Sequence, residues 1–293
     1  MGVTDCHVHI NPLWEMRPEA RALVGQTPAD VDRYVREPRE FLEYLDRCGV
    51  ERAVLVNYVS PEVVGYTEKA NEFVSDYARE DPQRLIAIGS VLPSHPEPRK
   101  EVQRLVERLG IRGIKIHPPH QLFSPNDYVG GRLPGLRAIY EECERLKVPV
   151  IFHTGTSVFP RARNRFGQPI LVEDVAIDFP ELTIVLAHGG RPLWTSEAMF
   201  LARRFPNVYL ELSSVPPGKI PSYFPGIERL GEKLLFGSDW PGPGVKDIGA
   251  NLRDFRALPI PTDLVEAALT RNPERVFSRS TRTYNSHPVS ARP

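Results

Sequence analysis

The sequence predicts an α/β chain closed into a (β/α)8 TIM barrel. Eight short runs rich in β-branched residues recur along the 293 residues. Each is followed by turn residues and then a longer charged segment with helical spacing, the alternation expected of parallel strands covered by helices. A barrel of this kind takes roughly 250 residues as one domain, so the length requires no second one. A doubly wound open sheet usually carries a glycine-rich phosphate turn after its first strand. Here the first run ends His-Val-His-Ile-Asn-Pro instead.

In chain order, the strand runs are Val3 to Ile10, Ala53 to Tyr58, Leu85 to Val91, Gly113 to His117, Val148 to His153, Leu182 to His188, Val208 to Ser213 and Lys233 to Asp239. The spacers carry helix patterns over Pro38 to Cys48, Thr67 to Glu80 and Pro98 to Leu109. In the first of these Phe41, Leu42 and Leu45 share a stripe, and in the last Val102, Leu105, Val106 and Leu109 do. Later helices are expected over Leu133 to Lys147, Val172 to Phe179, Leu193 to Phe205, Ile220 to Leu230, Asp247 to Leu258 and Thr262 to Phe277. Residues 1–279 then form one catalytic barrel domain. The stretch Asn11 to Glu37 is long for a loop and forms a lid or entrance wall over the barrel mouth, and 280–293 is a polar, flexible C-terminal tail.

Composition narrows the function classes. Lys and Arg total 37 against 37 Asp and Glu, with no basic stripe, so nothing electrostatic argues for nucleic acid. No segment approaches the ~18 consecutive apolar residues that span a bilayer, and no secretory leader opens the chain, so a cytoplasmic protein is expected. Cys6, Cys48 and Cys143 lie far apart without a C-x-x-C pair and read as reduced structural thiols. The 30 prolines gather in loops such as Pro118-Pro119 and Pro241-Gly242-Pro243.

Chemistry concentrates at the ends of the strand runs, where active sites of such barrels are built. In the first run His7 and His9 lie two residues apart and so share a face, with Cys6 and Val8 on the other. Two imidazoles about 7 Å apart at the backbone can converge on one divalent ion but fill only half its shell, so later strands must supply further ligands. The fifth run ends in His153, the sixth in His188 and the eighth in Asp239. A lone strand-terminal histidine is more often a hydrogen-bonded structural residue, but of eight histidines four end runs one, five and six, and His117 ends run four.

His-x-His on the first strand, histidines ending the fifth and sixth, and Gly237-Ser238-Asp239-Trp240-Pro241 ending the eighth resemble the metal-dependent amidohydrolase superfamily. Gly113-Ile114-Lys115-Ile116-His117-Pro118 and Leu186-Ala187-His188-Gly189-Gly190 resemble its amidohydrolase-related branch, over about Val3 to Phe277. That branch includes aminocarboxymuconate semialdehyde decarboxylase, resorcylate-type decarboxylases and several lactone hydrolases. The resemblance implies that His7, His9, His153 and Asp239 hold one divalent metal, zinc first, with manganese or ferrous iron suited to the same ligands. Asp239 would take a proton from the metal-bound water and His188 would act as acid, base or electrostatic group beside it. A homodimer is expected by the same resemblance.

Lys115 complicates the metal count. In two-metal amidohydrolases a carboxylated fourth-strand lysine bridges two ions, and every residue for that arrangement is present. A single ion is favoured because the branch markers resemble single-metal members, which leaves an unmodified Lys115 to bind a substrate carboxylate or to be satisfied by Glu211 or Asp5. His117, Arg191 and Glu211 are further candidates for substrate contact, Glu211 alternatively as partner of a ligand or in a structural ion pair. Asp5 is read as a support. His120 and Arg191 lie just beyond strands four and six, lining the pocket or sitting in solvated loops. Arg161, Arg163 and Arg165 suggest recognition of an anion or a solvated loop. The functional expectation is a hydrolase that uses metal-bound hydroxide on a small lactone, amide or ester bearing a carboxylate. The alternative is non-oxidative decarboxylation by the same residues. The lower alternative is a metal-binding protein without turnover.

Overall fold

The computed structural model describes residues 2–24, 29–242, 244–245 and 247–278. Eight parallel strands form in the predicted order: β1 Thr4–Val8, β2 Arg52–Val56, β3 Leu85–Ile88, β4 Ile114–Ile116, β5 Val150–His153, β6 Ile184–Ala187, β7 Val208–Glu211 and β8 Leu234–Leu235. Regular ladders join β1 to β3 and β4 to β8, and two irregular seams close the ring. Across β3 and β4, Gly89 pairs with Ile114, and the Lys115 amide donates to the Gly89 carbonyl at 2.7 Å. Across β8 and β1, Val8 pairs with Trp240; the Asp239 amide donates to the His7 carbonyl at 2.8 Å and the His9 amide to the Trp240 carbonyl at 2.7 Å. That second seam sets His7 and His9 beside Asp239.

Every predicted strand run but the fifth, which ends with its strand at His153, overshoots at its C-terminal end, because the chain leaves the ladder there to build the mouth. The eighth departs most. Its regular pairing stops at Leu235, and the backbone turns until Asp239 stands at φ 67°. Gly237 permits the turn: a Cβ there would lie 2.2 Å from Glu211 Oε1 and 2.8 Å from His7 Cβ.

The first strand also differs from strict alternation. Asp5 aligns with Ala53 but Val8 with Leu55, so one extra residue is inserted between them, a β-bulge. Cys6 therefore packs in the barrel interior with Val54, Val56, Ile151, Val185 and Leu235, above a floor of Val276 and Phe277, while Val8 joins the outer core. The expectation that Cys6 and Val8 share a face fails for this reason.

Alternate strand residues, among them Phe152, Leu186 and Leu210, bury outward against the helices. Of these helices, Pro38–Cys48, Pro98–Glu107 and Pro134–Leu146 each open on a proline, where its missing N–H and fixed φ cost nothing. The predicted helix Ile220 to Leu230 is instead a short helix Ile220–Tyr223 and a 3-10 segment Ile227–Lys233, separated by Pro225 and by Gly226 at φ 77°. The predicted Thr262 to Phe277 helix breaks at Thr270. The stretch after β1 is helical at Pro18–Val24 and Ala29–Arg36, not a bare loop. The predicted tail, 280–293, lies outside the described residues. No helix among the described residues is long and apolar enough to cross a membrane.

Phe152 is fully buried beside Tyr140, at 5.9 Å between ring centroids. Phe152→Ala is expected to cost about 3–5 kcal/mol. Urea unfolding checks it; a loss below about 1 kcal/mol would mean that the helix layer closes over the gap.

Candidate active site

The strand ends surround a cavity of about 320 Å3. His9, Lys115, His117, His153, His188, Arg191 and Asp239 line it, as do Asn11, Leu13, Met16 and Val24 from the stretch expected to cover the mouth.

At its floor three ligand atoms converge. His9 Nε2 lies 3.0 Å and His7 Nε2 3.6 Å from the same oxygen, Asp239 Oδ1. The hydrogen-bond partners fix which nitrogens carry protons. His9 Nδ1 faces the Val56 carbonyl at 2.8 Å and His7 Nδ1 faces Glu211 Oε2 at 2.8 Å, both acceptors, so each Nδ1–H donates. Each neutral ring then turns an Nε2 lone pair toward the carboxylate. Lone pairs so close repel one another unless a cation or a shared proton lies between them. His7 Nε2 is buried with no hydrogen-bond partner among the described residues. The donor set, two imidazole nitrogens and a carboxylate oxygen, suits a divalent ion of the zinc, manganese or iron kind.

His153 does not join that trio within the same 4.8 Å spread. It stands alongside: its Nε2 is buried without a hydrogen-bond partner among the described residues, and its ring is 4.6 Å from that of His188. Of the four ligands the resemblance implied, the structure thus clusters three and sets the fourth nearby.

Glu211 does not contact the cavity. It lies behind His7 as the hub of a relay, accepting from the Ser213 amide at 2.5 Å and from Ser213 Oγ at 2.8 Å. Ser213 Oγ in turn lies 2.8 Å from His188 Nδ1. Because the Ser213 proton is committed to the carboxylate, His188 Nδ1 must donate and its Nε2 is the proton-exchanging nitrogen. His7, His188 and Glu211 also sit close enough to hold an ion, but these direct hydrogen bonds account for their packing. Glu211→Gln is expected to weaken metal binding about 10–100-fold, since it swaps a charged acceptor behind His7 for an amide. Metal titration of the variant tests this; unchanged affinity would mean that His7 needs no such support.

Lys115 is fully buried and Nζ has no hydrogen-bond partner among the described residues, so neither Glu211 nor Asp5 satisfies it. Burial pushes its pKa down to about 8, with the charges of Glu211 and Asp239 acting the other way. Arg191 is held by the Thr156 carbonyl and Ser214 Oγ, both at 2.8 Å, and its guanidinium lines the cavity. Burial alone would raise Asp239; with a proton on His9 Nε2, the hydrogen bond and charge of that ring, together with His7 and Arg191, would hold the carboxyl well below the usual carboxylate range. Asp5 is a backbone tie, accepting from the His7 amide at 3.1 Å and the Ser238 amide at 2.9 Å. His188 at φ 65° and Asp239 at φ 67° both adopt left-handed backbone, a cost that surrounding structure sustains mostly at functional sites.

His120 is buried, not solvated, because a short helix, Pro118–Gln121, follows β4. Arg161, Arg163 and Arg165 are exposed and contribute nothing to the cavity lining. Sequence reasoning passed over Tyr58, Ser157 and Ser213. Tyr58 and Ser213 end predicted strand runs, the signal that singled out the histidines; Ser157 sits in a loop with no such signal.

A family model described as amidohydrolase matches residues 4–279. The chain belongs to the amidohydrolase family. The family is one of enzymes, hydrolases and carboxy-lyases, whose members bind a divalent metal. A 2-amino-3-carboxymuconate-6-semialdehyde decarboxylase from Dictyostelium discoideum is 26% identical over 192 residues, 57% of this chain. The match spans about half, 51%, of that relative's length. Among solved structures, an uncharacterised TIM-barrel protein from Bordetella bronchiseptica superimposes with a TM-score of 0.72 at 25% identity, covering 95% of this chain and 99% of its own. A 2,6-dihydroxybenzoate decarboxylase bound to 2,6-dihydroxybenzoate gives 0.68 at 17% identity over 94% and 98% of the two chains. A 5-carboxyvanillate decarboxylase from Novosphingobium aromaticivorans, with bound manganese and a nitrobenzoic acid, gives 0.64 at 16% over 94% and 96%. These last two share the barrel fold with this amidohydrolase.

Proposed function

We propose that this amidohydrolase is a non-oxidative decarboxylase of a small aromatic or unsaturated carboxylic acid. It holds one divalent cation, zinc first, at His7, His9 and Asp239, with His153 beside them. The observation that carries the reading is the cavity itself. Two cationic side chains, the buried Lys115 and the half-buried Arg191, meet aromatic walls of Tyr58, Tyr66 and Phe159 in a space sized for one ring and its substituents. Hydrolysis came first in the sequence-based expectation. The relatives named above as decarboxylases support the second option better.

When bound, the cation supplies Lewis-acid polarisation of substrate oxygens. The protein's own groups do the rest. Lys115 and Arg191 orient the carboxylate, and the apolar walls exclude water from it. His188 Nε2, its ring held by Ser213 and Glu211, carries a proton to the carbon bearing the carboxylate. The bond to the carboxyl carbon then breaks, its electron pair returns to the substrate, and carbon dioxide leaves: carboxylate plus one proton, taken up by His188 Nε2 from solvent, gives the protonated carbon and carbon dioxide.

The test incubates the purified protein with hydroxylated benzoic acids, 5-carboxyvanillate and unsaturated dicarboxylic acids, measuring carbon dioxide and the shortened product by mass. The three-ligand floor suits equally a second reading, hydrolysis of a carboxylate-bearing lactone, amide or ester. Opening of lactones with no carbon dioxide from any acid would replace the proposal with it. A metal-to-chain ratio near two, lost in Lys115→Ala, would overturn the single ion.

A further inference from the structure

One wall of the cavity carries polar groups that the reaction above does not use. His120, fully enclosed in the short helix after β4, touches a hydroxyl at each ring nitrogen. Tyr58 Oη lies 3.1 Å from Nδ1 and Ser157 Oγ 2.6 Å from Nε2. Both hydroxyl-bearing residues line the cavity. Ser157 is fixed by Asn164, whose Oδ1 accepts from the Ser157 amide at 2.8 Å and whose Nδ2 donates to the Ser157 carbonyl at 3.1 Å. The Phe159 amide donates to Ser157 Oγ at 3.2 Å.

Proton counting on this chain has two solutions. A neutral imidazole carries one N–H and one lone pair. If Nε2 holds the proton, it donates to Ser157 Oγ, Tyr58 donates to Nδ1, and the Ser157 hydroxyl proton is left for the cavity. If Nδ1 holds it, Ser157 donates to Nε2 and the Tyr58 proton is left instead. Either way the wall presents one hydroxyl donor and no charge, because burial keeps the His120 pKa at about 3, well below its ordinary value, with the charge of Lys115 adding to the effect. The Tyr58 ring centroid is 6.3 Å from that of His9 and the His120 centroid 6.3 Å from that of His153, so this wall stands beside the metal trio without joining it.

We propose that Tyr58, His120 and Ser157 form a specificity subsite that recognises an uncharged oxygen substituent, a hydroxyl or ether, on the substrate ring. A second carboxylate there would find a single donor and no cation, so the subsite selects against dicarboxylic acids. Tyr58 and Ser157 touch the substituent; His120 is a positioning residue that acts through them. The inference rests on the aromatic-acid reading above for its substrate class.

The test is calorimetric titration of the purified protein with benzoate, its 3- and 4-hydroxy and 3- and 4-methoxy derivatives, and benzene-1,3-dicarboxylate. One hydroxy or methoxy acid is expected to bind about 3–10-fold more tightly than benzoate, and the dicarboxylate no better than benzoate. Ser157→Ala alone is expected to shrink that preference, and Tyr58→Phe with Ser157→Ala to erase it, with benzoate affinity within twofold of the parent in both. Equal weakening of benzoate, a preference for the dicarboxylate, or no binding of any of these acids would overturn the subsite. The single variant, on a surface loop, keeps the test open if the double variant does not fold. Preserved substituent preference without carbon dioxide release sinks the decarboxylase reading and leaves the subsite standing. Carbon dioxide release without any substituent preference sinks the subsite alone.

Discussion

Asp239→Asn is expected to remove the bound divalent metal and to lower turnover by more than about 100-fold, beyond what loss of an outer partner costs. The amide keeps the shape of the carboxylate and discards its charge. Its oxygen would still face His9 Nε2 at 3.0 Å and His7 Nε2 at 3.6 Å. What disappears is the negative member of a neutral-imidazole set, and with it most of the attraction for a cation. Metal analysis alongside turnover checks the prediction. Full metal content with lost turnover would recast Asp239 as a proton carrier only; full content with full turnover would move the metal elsewhere.

His188→Asn should behave differently. A loss of about 10²–10⁴ in kcat is expected, the usual range for removing a positioned proton-transfer group, with the metal content unchanged. His188 lies outside the trio that crowds Asp239, and its Nδ1 is committed to Ser213. A parallel loss of metal would make His188 a ligand and return the group of His7, His188 and Glu211 to consideration as the true centre. Comparing the two variants separates holding the cation from moving the proton, which share one small volume here.

Much of this site could be read from residue order. His-x-His in an apolar run, and histidine or aspartate where later runs stop, are local patterns that survive without any knowledge of packing. The barrel follows from the same runs. What local pattern cannot carry is register. The bulge between Asp5 and Val8 turns Cys6 into the interior, and nothing in Val-Thr-Asp-Cys-His-Val-His announces an extra residue. Glu211 behaves likewise: alternation put it on the inward face, but whether it meets substrate or the back of His7 depends on how far up the barrel β7 reaches. His120, read as pocket lining with a solvated loop as the default, lines the pocket; the default fails because the four-residue helix that buries it is shorter than any periodic signal.

The seam between the first and last strands has a consequence for how the enzyme comes into being. The same hydrogen bonds that shut the barrel, from Asp239 to His7 and from His9 to Trp240, bring the two ends of the catalytic chain together. A chain that has been made only as far as β7 therefore has two of the trio and no third. An ion held by the trio would be captured only once β8 is in place, and would then fasten β1 to β8. Because a ligand that binds only the finished state stabilises it in proportion to the logarithm of its free concentration, cellular metal supply sets the resistance of this clasp to opening.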